Sequence, residues 1–562
     1  MKLNAISLYF FISVICFSCK QKTPSRGLIT QKAMVVSARV EASQIGSDIL
    51  QQGGNAFDAM IATQLALAVA YPYAGNIGGG GFMVYRENNG TIGSLDFREK
   101  APLAATKDMY LDSLGNVIPD LSTRGALAVG VPGSVAAIFA VHEKFGSLPI
   151  EALIKPVIEL AKRGVIVTKK QEIRTAEKQE DFKLANKDTI LFVKNWKAND
   201  TIKYPELAET LTRIMQNGKD EFYRGKTAEI LVKFIQDNGG VLSLEDLATY
   251  AVKWREPVTF EYDGLKIISI APPSSGGIAL AQIMKSVAAF DLSKLGHNSV
   301  KTIQVLAEAE RRAYADRSYY LGDPDFITVP QKELISDDYL KNRMADFSFE
   351  KATPSSKVSH GKVGIVESDE TTHYSIVDQF GNAIAVTTTL NSGFGSKLFS
   401  SELGFFLNNE MDDFSSKPGV PNFYGLIGAE ANAILPEKRM LSSMTPTIIE
   451  KDGKLLMSVG TPGGSTIITS VLQTILNVHA FDMTMQEAVN APRFHHQWLP
   501  DEIRMEPNAF SKEIIKELEQ KGYTINEERS PVIGNVDGVL VLPDGTLEGG
   551  ADYRGDDAAV GF

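Results

Sequence analysis

The sequence predicts a mixed α/β protein of the α+β kind, and three observations lead there. Segments with helical spacing alternate with segments of strand-like alternation from about residue 30 onward, without a long linker between them. The composition is that of an ordinary globular chain, 44% hydrophobic and 22% charged over 562 residues, enough for one large domain or two. No internal repeat of solenoid period and no low-complexity tract interrupts it, so the architecture is expected to be compact.

Taken in order, residues 1–18 carry one positive charge, Lys2, followed by the apolar run LYFFISVICF. That run is too short and too early for a membrane span and reads as an export signal. Ser18 and Cys19, followed by Lys20 and Lys22, resemble a bacterial lipoprotein signal in which Cys19 is lipidated and becomes the mature N-terminus. Cys16 stands where such signals usually prefer Leu, and the alternative is ordinary cleavage to a soluble periplasmic or secreted protein. Acylation would anchor the protein through its hydrocarbon chains with no spanning helix.

Residues 20–28 are polar and read as a tether. Residues 43–52 have helical spacing and stop at Gly53 and Gly54; Asn55 then caps a second helix, with Phe57, Met60, Ile61, Leu65 and Ala68 on its apolar positions, that runs until Pro72. The glycine run 78–81 implies close backbone packing. A hairpin follows, with strands 82–86 and 92–98 around a turn at Asn88, Asn89 and Gly90, leaving Arg98 at a strand end. Residues 134–238 read as mostly helical. Residues 265–270 form a strand before the loop 272–277, and a long helical run comes next. Residues 351–370 are polar and poor in large apolar side chains, so they are expected to form an exposed connector ending at Thr371. Residues 373–378 and 383–390 then alternate as two strands around a turn at 379–382.

Several chemistries are disfavoured. The formal charge of -11 with no Lys/Arg block leaves nucleic-acid binding without its electrostatic basis, so a small-molecule partner is expected. Both cysteines, Cys16 and Cys19, lie in the first twenty residues, so the body has no disulfide, no thiolate zinc site and no cysteine nucleophile. There is no G-x-S-x-G turn, no phosphate-binding G-x-x-x-x-G-K-[ST], and no H-E-x-x-H spacing among the seven histidines, so neither metal nor cofactor is implied. What remains is a hydroxyl nucleophile activated without histidine. A chain-terminal threonine does this with its own α-amine, whose ordinary pKa of about 7.7 to 8.0 suits general-base work at neutral pH. Thr371 would first have to become a terminus, by attacking the carbonyl of Glu370. Taken locally, Thr371 and Thr372 at the start of a strand read as strand propensity rather than catalysis.

The strings Thr371-Thr372-His373-Tyr374-Ser375, Asn408-Asn409-Glu410-Met411-Asp412-Asp413-Phe414, Leu441-Ser442-Ser443-Met444 and Thr461-Pro462-Gly463-Gly464-Ser465 resemble the γ-glutamyltransferases. So do Gly53-Gly54-Asn55-Ala56-Phe57-Asp58-Ala59, the run Gly78 to Met83, and Leu95-Asp96-Phe97-Arg98-Glu99. The resemblance covers about residues 30–562 with motifs in order in both halves. It implies an N-terminal-nucleophile fold, a four-layer αββα sandwich, and self-cleavage into a large chain, 19–370, and a small chain, 371–562, that stay together.

It further implies Thr371 as nucleophile, Thr389 as its hydrogen-bonding support, and Gly463 and Gly464 as the oxyanion hole. Arg98 is expected to grip the α-carboxylate of the γ-glutamyl group with two parallel donors and Asp413 to receive its α-ammonium, with Asn391, Glu410, Ser442 and Ser443 completing the pocket. Thr461 and Ser465 are read as support. Residues 418–432 resemble a substrate lid with Tyr424 as its aromatic gate. Met440 stands where the family usually has Pro before Leu-Ser-Ser, which bears on the geometry of Ser442 and Ser443. The implied activity is hydrolysis of glutathione and other γ-glutamyl compounds or transfer of the group to an amino acid or dipeptide. The rivals are a glutaryl-type cephalosporin acylase of the same fold and a catalytically dead surface-binding protein.

Overall fold

Side chains alternate across the central strands, and each face of a strand meets a different apolar partner. On the strand Ala383–Thr389, Ile384 and Val386 point into one core and Ala383 and Ala385 into another. The strand Gly80–Arg86 divides Met83 and Tyr85 from Phe82 and Val84 in the same way. In the strand Thr447–Lys451, Ile449 joins a third core while Ile448 joins the one shared with Phe82. A period of two with both faces apolar requires a layer on each side of each sheet.

The computed structural model, which describes residues 25–359, 371–415, 417, 429–528 and 532–562, has that arrangement. One seven-stranded sheet runs Leu28–Thr30, Leu547–Ala551, Asp537–Val541, Lys454–Gly460, Thr447–Lys451, Leu265–Ser269, Val258–Tyr262. The other runs Ala558–Gly561, Met34–Ser37, Thr372–Val377, Ala383–Thr389, Gly80–Arg86, Ile92–Asp96, Lys253–Arg255. All neighbours in both sheets pair antiparallel. Helices including Val40–Gln51 and Ala56–Ala70 cover the outer face of the second sheet, and Gly276–Val287, Val300–Tyr320 and Thr466–His479 that of the first. The order is the four-layer αββα sandwich.

Most elements fall where the spacing put them, and three differ instructively. Asn55 caps Ala56–Ala70 as expected, accepting from the N–H groups of Phe57 and Asp58, but every residue of that helix is buried, not one face alone. The hairpin's second strand ends at Asp96, so Arg98 lies just beyond the ladder. The connector is not wholly exposed: Thr353, Ser355 and Val358 are buried. Ser355 donates to the Trp498 carbonyl at 2.5 Å, and its N–H reaches Asp501 at 2.7 Å. Residues 360–370, residues 1–24, and most of the expected lid with Tyr424 lie outside the described residues. The glycine run does pack closely. A Cβ on Gly79 would stand 2.1 Å from the Thr389 carbonyl oxygen, and one on Gly81 2.3 Å from that of Thr387.

Candidate active site

Thr371 immediately precedes Thr372–Val377, an interior strand held on both edges by Met34–Ser37 and Ala383–Thr389. Thr372 pairs with Thr388, which sets Thr371 and Thr389 one step further along the same two strands. Both line one cleft. Arg98, Asn391, Glu410, Asp413, Ser442, Ser443 and Gly464 line it too, so nearly all the expected site residues converge there. Gly463 is the neighbour of a lining residue. Asn432, the described end of the expected lid, is also in the wall; its amide donates to the Asp413 carbonyl at 2.7 Å and its side-chain oxygen accepts from the Leu441 N–H at 3.0 Å.

The walls are set by backbone capture. Thr389 Oγ1 accepts from the Asn391 N–H at 2.7 Å, turning the chain at Asn391, whose φ of 77° is in the left-handed region that Asn tolerates. Asn391 in turn donates to the Asn409 carbonyl at 3.0 Å. Asn408 ties the next segment down by donating to the Gly78 and Gly130 carbonyls at 2.8 and 2.9 Å and accepting from the Glu410 N–H at 3.1 Å. These bonds present Glu410 and Asp413 on one short 3-10 turn, Glu410–Asp413.

Arg98 is 1% exposed and surrounded by acid. Its Nη1 lies 2.5 Å from Glu410 Oε2 and 3.7 Å from Glu99 Oε2, and its Nη2 contacts Asp413 Oδ2. The remaining donors reach the carbonyls of Met440 at 3.4 Å and Leu441 at 3.3 Å. Arg98 therefore does line the cleft, but its two outer nitrogens are already engaged by Glu410 and Asp413, which differs from the open two-donor fork expected of it. The Glu410 contact is close but off the N–H direction, and neither Glu410 nor Glu99 accepts a well-directed hydrogen bond among the described residues. Burial accordingly pushes the Glu99 carboxyl up to about 8 and that of Glu410 well above its ordinary value, against the pull of Arg98. Asp413 is raised by burial as well, with Arg98 and then Arg317 opposing. Burial disfavours the Arg98 charge, yet Glu410, Asp413 and Glu99 outweigh it and hold the guanidinium firmly protonated.

Gly463 and Gly464 form a turn with φ of 136° and 52°, both left-handed. The Gly463 carbonyl accepts from the Thr466 N–H and hydroxyl at 2.9 and 2.7 Å, so the turn runs directly into the helix Thr466–His479. The N-terminus of that helix lies at the cleft, with Gly464 and Ile467 in its wall. Thr461 accepts from the Asn535 N–H at 2.8 Å, and Ser465 donates to Gln497 at 2.8 Å. No histidine is among the described residues that line the cleft. His373, two residues from Thr371, is buried between Thr387 at 2.9 Å and Ser375 at 3.0 Å, and burial drives its pKa down to about 3.

Comparison with known proteins identifies the family. A family profile described as gamma-glutamyltranspeptidase matches residues 42–562. The chain belongs to the γ-glutamyltranspeptidase family. The glutathione hydrolase proenzyme of Escherichia coli (strain K12) is 44% identical over 100% of this chain and 99% of that protein, and that of Pseudomonas sp. (strain A14) is 46% identical over 88% and 86%. Among solved structures, a γ-glutamyltranspeptidase of Helicobacter pylori matches with a TM-score of 0.57 at 44% identity, covering 61% of this chain and 97% of that one. A cephalosporin acylase from Bacillus halodurans matches with a TM-score of 0.84 at 24% identity, covering 97% of this chain and 98% of that one, a likeness of fold alone. The fold is that of the N-terminal-nucleophile hydrolases.

In this member of the family the segment 440–444 is shaped from outside itself. Met440 is buried with Met411, Phe414 and Ile434, so replacement of the usual proline leaves the segment packed in place. Ser442 forms a parallel bridge with Ser274: its N–H donates to the Pro273 carbonyl at 3.0 Å, and its carbonyl accepts from Ser275 N–H at 2.8 Å and Oγ at 2.7 Å. Sequence reasoning had no role for Ser275, for Arg317, which also lines the cleft, or for Asp96, which accepts from Arg98 N–H at 3.0 Å. The loop 272–277 was visible as a loop, but nothing in its spacing said what it touched.

Proposed function

We propose that this family member is an exported, self-cleaving γ-glutamyltransferase and glutathione hydrolase that acts through Thr371. In maturation, Thr371 Oγ attacks the Glu370 carbonyl carbon, the Glu370–Thr371 C–N bond breaks, and the resulting ester is opened by water. The products are a Glu370 carboxylate and a free Thr371 amine and hydroxyl. In turnover, Thr371 Oγ attacks the γ-carbonyl of a donor such as glutathione, and its proton passes to the α-amine and on to the leaving amine. Water, or the amine of an amino acid or dipeptide, then takes the γ-glutamyl group from the ester.

The observation that carries this reading is that a threonine at the junction shares one small cleft with oppositely charged partners for both ends of an α-amino acid, and with no histidine among the described lining residues. The Gly463–Gly464 turn suits the oxyanion, Thr389 the support of Thr371, and Arg98, Asn391, Asp413, Glu410, Ser442 and Ser443 the γ-glutamyl head. The similarity to glutathione hydrolase proenzymes at 44% and 46% identity favours this donor class over a glutaryl one, since the acylase likeness at 24% speaks for fold alone.

On a denaturing gel, purified wild type is expected to give two bands, residues 19–370 and 371–562, and Thr371→Ala one. Two bands from Thr371→Ala would overturn the nucleophile assignment. A clear preference for a glutaryl over a γ-glutamyl p-nitroanilide would reverse the substrate class. Tyr424 is proposed as the gate over the cleft, and residues 1–18 as an export signal that leaves Cys19 lipidated. Among the described residues no helix is long and apolar enough to cross a membrane. Equal incorporation of a fatty-acid analogue into wild type and Cys19→Ala would sink the lipidation.

A further inference from the structure

Arg317 lies near the end of the helix Val300–Tyr320 and is 2% exposed, yet its side chain reaches the cleft. Its Nη2 donates to Ser443 Oγ at 2.9 Å and its Nε to Ser275 Oγ at 2.8 Å. A guanidinium can only donate. Both serine oxygens are therefore used as acceptors, and each hydroxyl must give its own hydrogen elsewhere. Ser275 gives its hydrogen to the Ser442 carbonyl at 2.7 Å. Ser442 Oγ likewise accepts, from the Met444 N–H at 3.1 Å. The chain of donors running outward from Arg317 thus leaves the hydroxyls of Ser442 and Ser443 with hydrogens to offer at the cleft wall. Two O–H donors side by side suit a carboxylate, and they stand in a cleft where the outer nitrogens of Arg98 are engaged by Glu410 and Asp413.

We propose that Arg317 is a positioning residue for donor specificity: by fixing Ser443 directly and Ser442 through Ser275, it aims two hydroxyl donors at the α-carboxylate of the γ-glutamyl group. The proposal rests on the reading of this cleft as the γ-glutamyl site. Arg317 also stands on the Asp413 side of the pocket, where its charge adds to that of Arg98 in drawing down a carboxyl that burial pushes up.

The test compares γ-glutamyl-p-nitroanilide with 4-aminobutyryl-p-nitroanilide, which keeps the amine and lacks the α-carboxylate. Arg317→Met is expected to raise KM for the first compound by roughly tenfold or more, the worth of a hydrogen bond to a charged group, with kcat within about threefold. For the second compound kcat/KM, or Ki against the first where turnover is slow, is expected to stay within about threefold of wild type. In a Ser443→Ala background most of the Arg317→Met effect should vanish, because the residue acts through that hydroxyl. Arg317→Lys, which keeps the charge but not the fork, and Ser275→Ala should show the same selectivity in weaker form, and these two variants decide the matter if Arg317→Met does not fold and cleave. Equal losses on both compounds, a fall in kcat at unchanged KM, or full additivity with Ser443→Ala would each overturn the role. Wild-type enzyme that turns over γ-glutamyl-p-nitroanilide no better than Thr371→Ala would instead overturn the underlying reading of the cleft.

Discussion

Gly463→Ala tests whether the turn before Thr466–His479 does chemistry. The backbone at Gly463 has φ of 136°, where an L-residue is strained by about 1 to 3 kcal/mol. The added Cβ would stand 2.5 Å from Thr466 Oγ1, the atom that bonds the Gly463 carbonyl, so relief of the clash also sacrifices a hydrogen bond worth about 1 kcal/mol. The sum, about 2 to 4 kcal/mol, is enough to move the turn but falls short of the stability of most folded domains. Losing one donor to an oxyanion typically costs about 10² to 10³ in kcat, a matching amount of free energy. Release of p-nitroaniline from γ-glutamyl-p-nitroanilide should therefore show kcat down by about that factor with KM little changed, because the contact is made in the transition state. Self-cleavage should slow as well if it uses the same turn. Gly453→Ala is the control: its φ is 73°, an added Cβ meets nothing within 4 Å, and it sits on the remote hairpin between Thr447–Lys451 and Lys454–Gly460, so it should cost a little stability and no kcat. A Gly463→Ala enzyme within about threefold of wild-type kcat would refute the oxyanion assignment.

Two further perturbations probe the scaffold. Arg86 and Glu450 join the two sheets through a buried pair at 2.6 Å, and Lys266 meets the same carboxylate at 2.9 Å; Glu450→Ala should destabilise by about 3 kcal/mol or more, read as a lower Tm, because it leaves Arg86 buried without its partner. Glu310 is fully buried, accepts among the described residues only from the His496 N–H at 2.8 Å, and is pushed by burial up to about 8. The folded protein therefore keeps a proton there that the unfolded chain gives up near pH 4.5, and stability is lost as pH rises through that window. His496, held down at about 4 chiefly by burial, acts oppositely only below its ordinary 6.5. Between about pH 6.5 and 8 the Glu310 contribution is on the order of 2 kcal/mol, so the Tm of Glu310→Gln should fall less across that interval than that of wild type. Parallel slopes would refute the assignment.

The residues legible in the sequence are those whose neighbours along the chain already carry the pattern. Thr371, Arg98, Asp413 and the Gly463–Gly464 turn each sit in a short string, and the fold had only to bring the strings together. Arg317 could not be found that way. It follows Arg311 and Arg312 on one helix, where arginines ordinarily read as a solvated face, and its partners Ser275 and Ser443 come from two distant segments. The buried part of the connector was missed for a related reason: Thr353 and Ser355 are polar, but Glu308, Arg311, Trp498 and Asp501 satisfy them within the protein. Ala56–Ala70 shows the same effect: its Gln64 bonds Thr388, Asn76 and Tyr374 inside the core. Hydrophobic spacing marks what must be buried; it cannot mark polar groups whose partners are supplied by tertiary structure.

A cut before Thr371 has a consequence that follows from strand order alone. Each sheet mixes strands from both sides of that bond: Met34–Ser37, Gly80–Arg86, Ile92–Asp96 and Lys253–Arg255 share a sheet with Thr372–Val377, Ala383–Thr389 and Ala558–Gly561, and the other sheet is similarly mixed. The strand that begins at Thr372 is paired on both edges, so release of its N-terminus removes one covalent bond and no ladder. The cleft is equally composite, with Arg98 and Arg317 from before the bond and Thr371, Asp413 and Ser443 from after it. The two pieces of the cleaved enzyme should therefore co-elute at the size of the intact chain on native gel filtration and separate only in denaturant, with activity lost at the same denaturant concentration as the shared sheets. Dissociation under native conditions with activity retained in the 371–562 piece would show that the cleft does not need both.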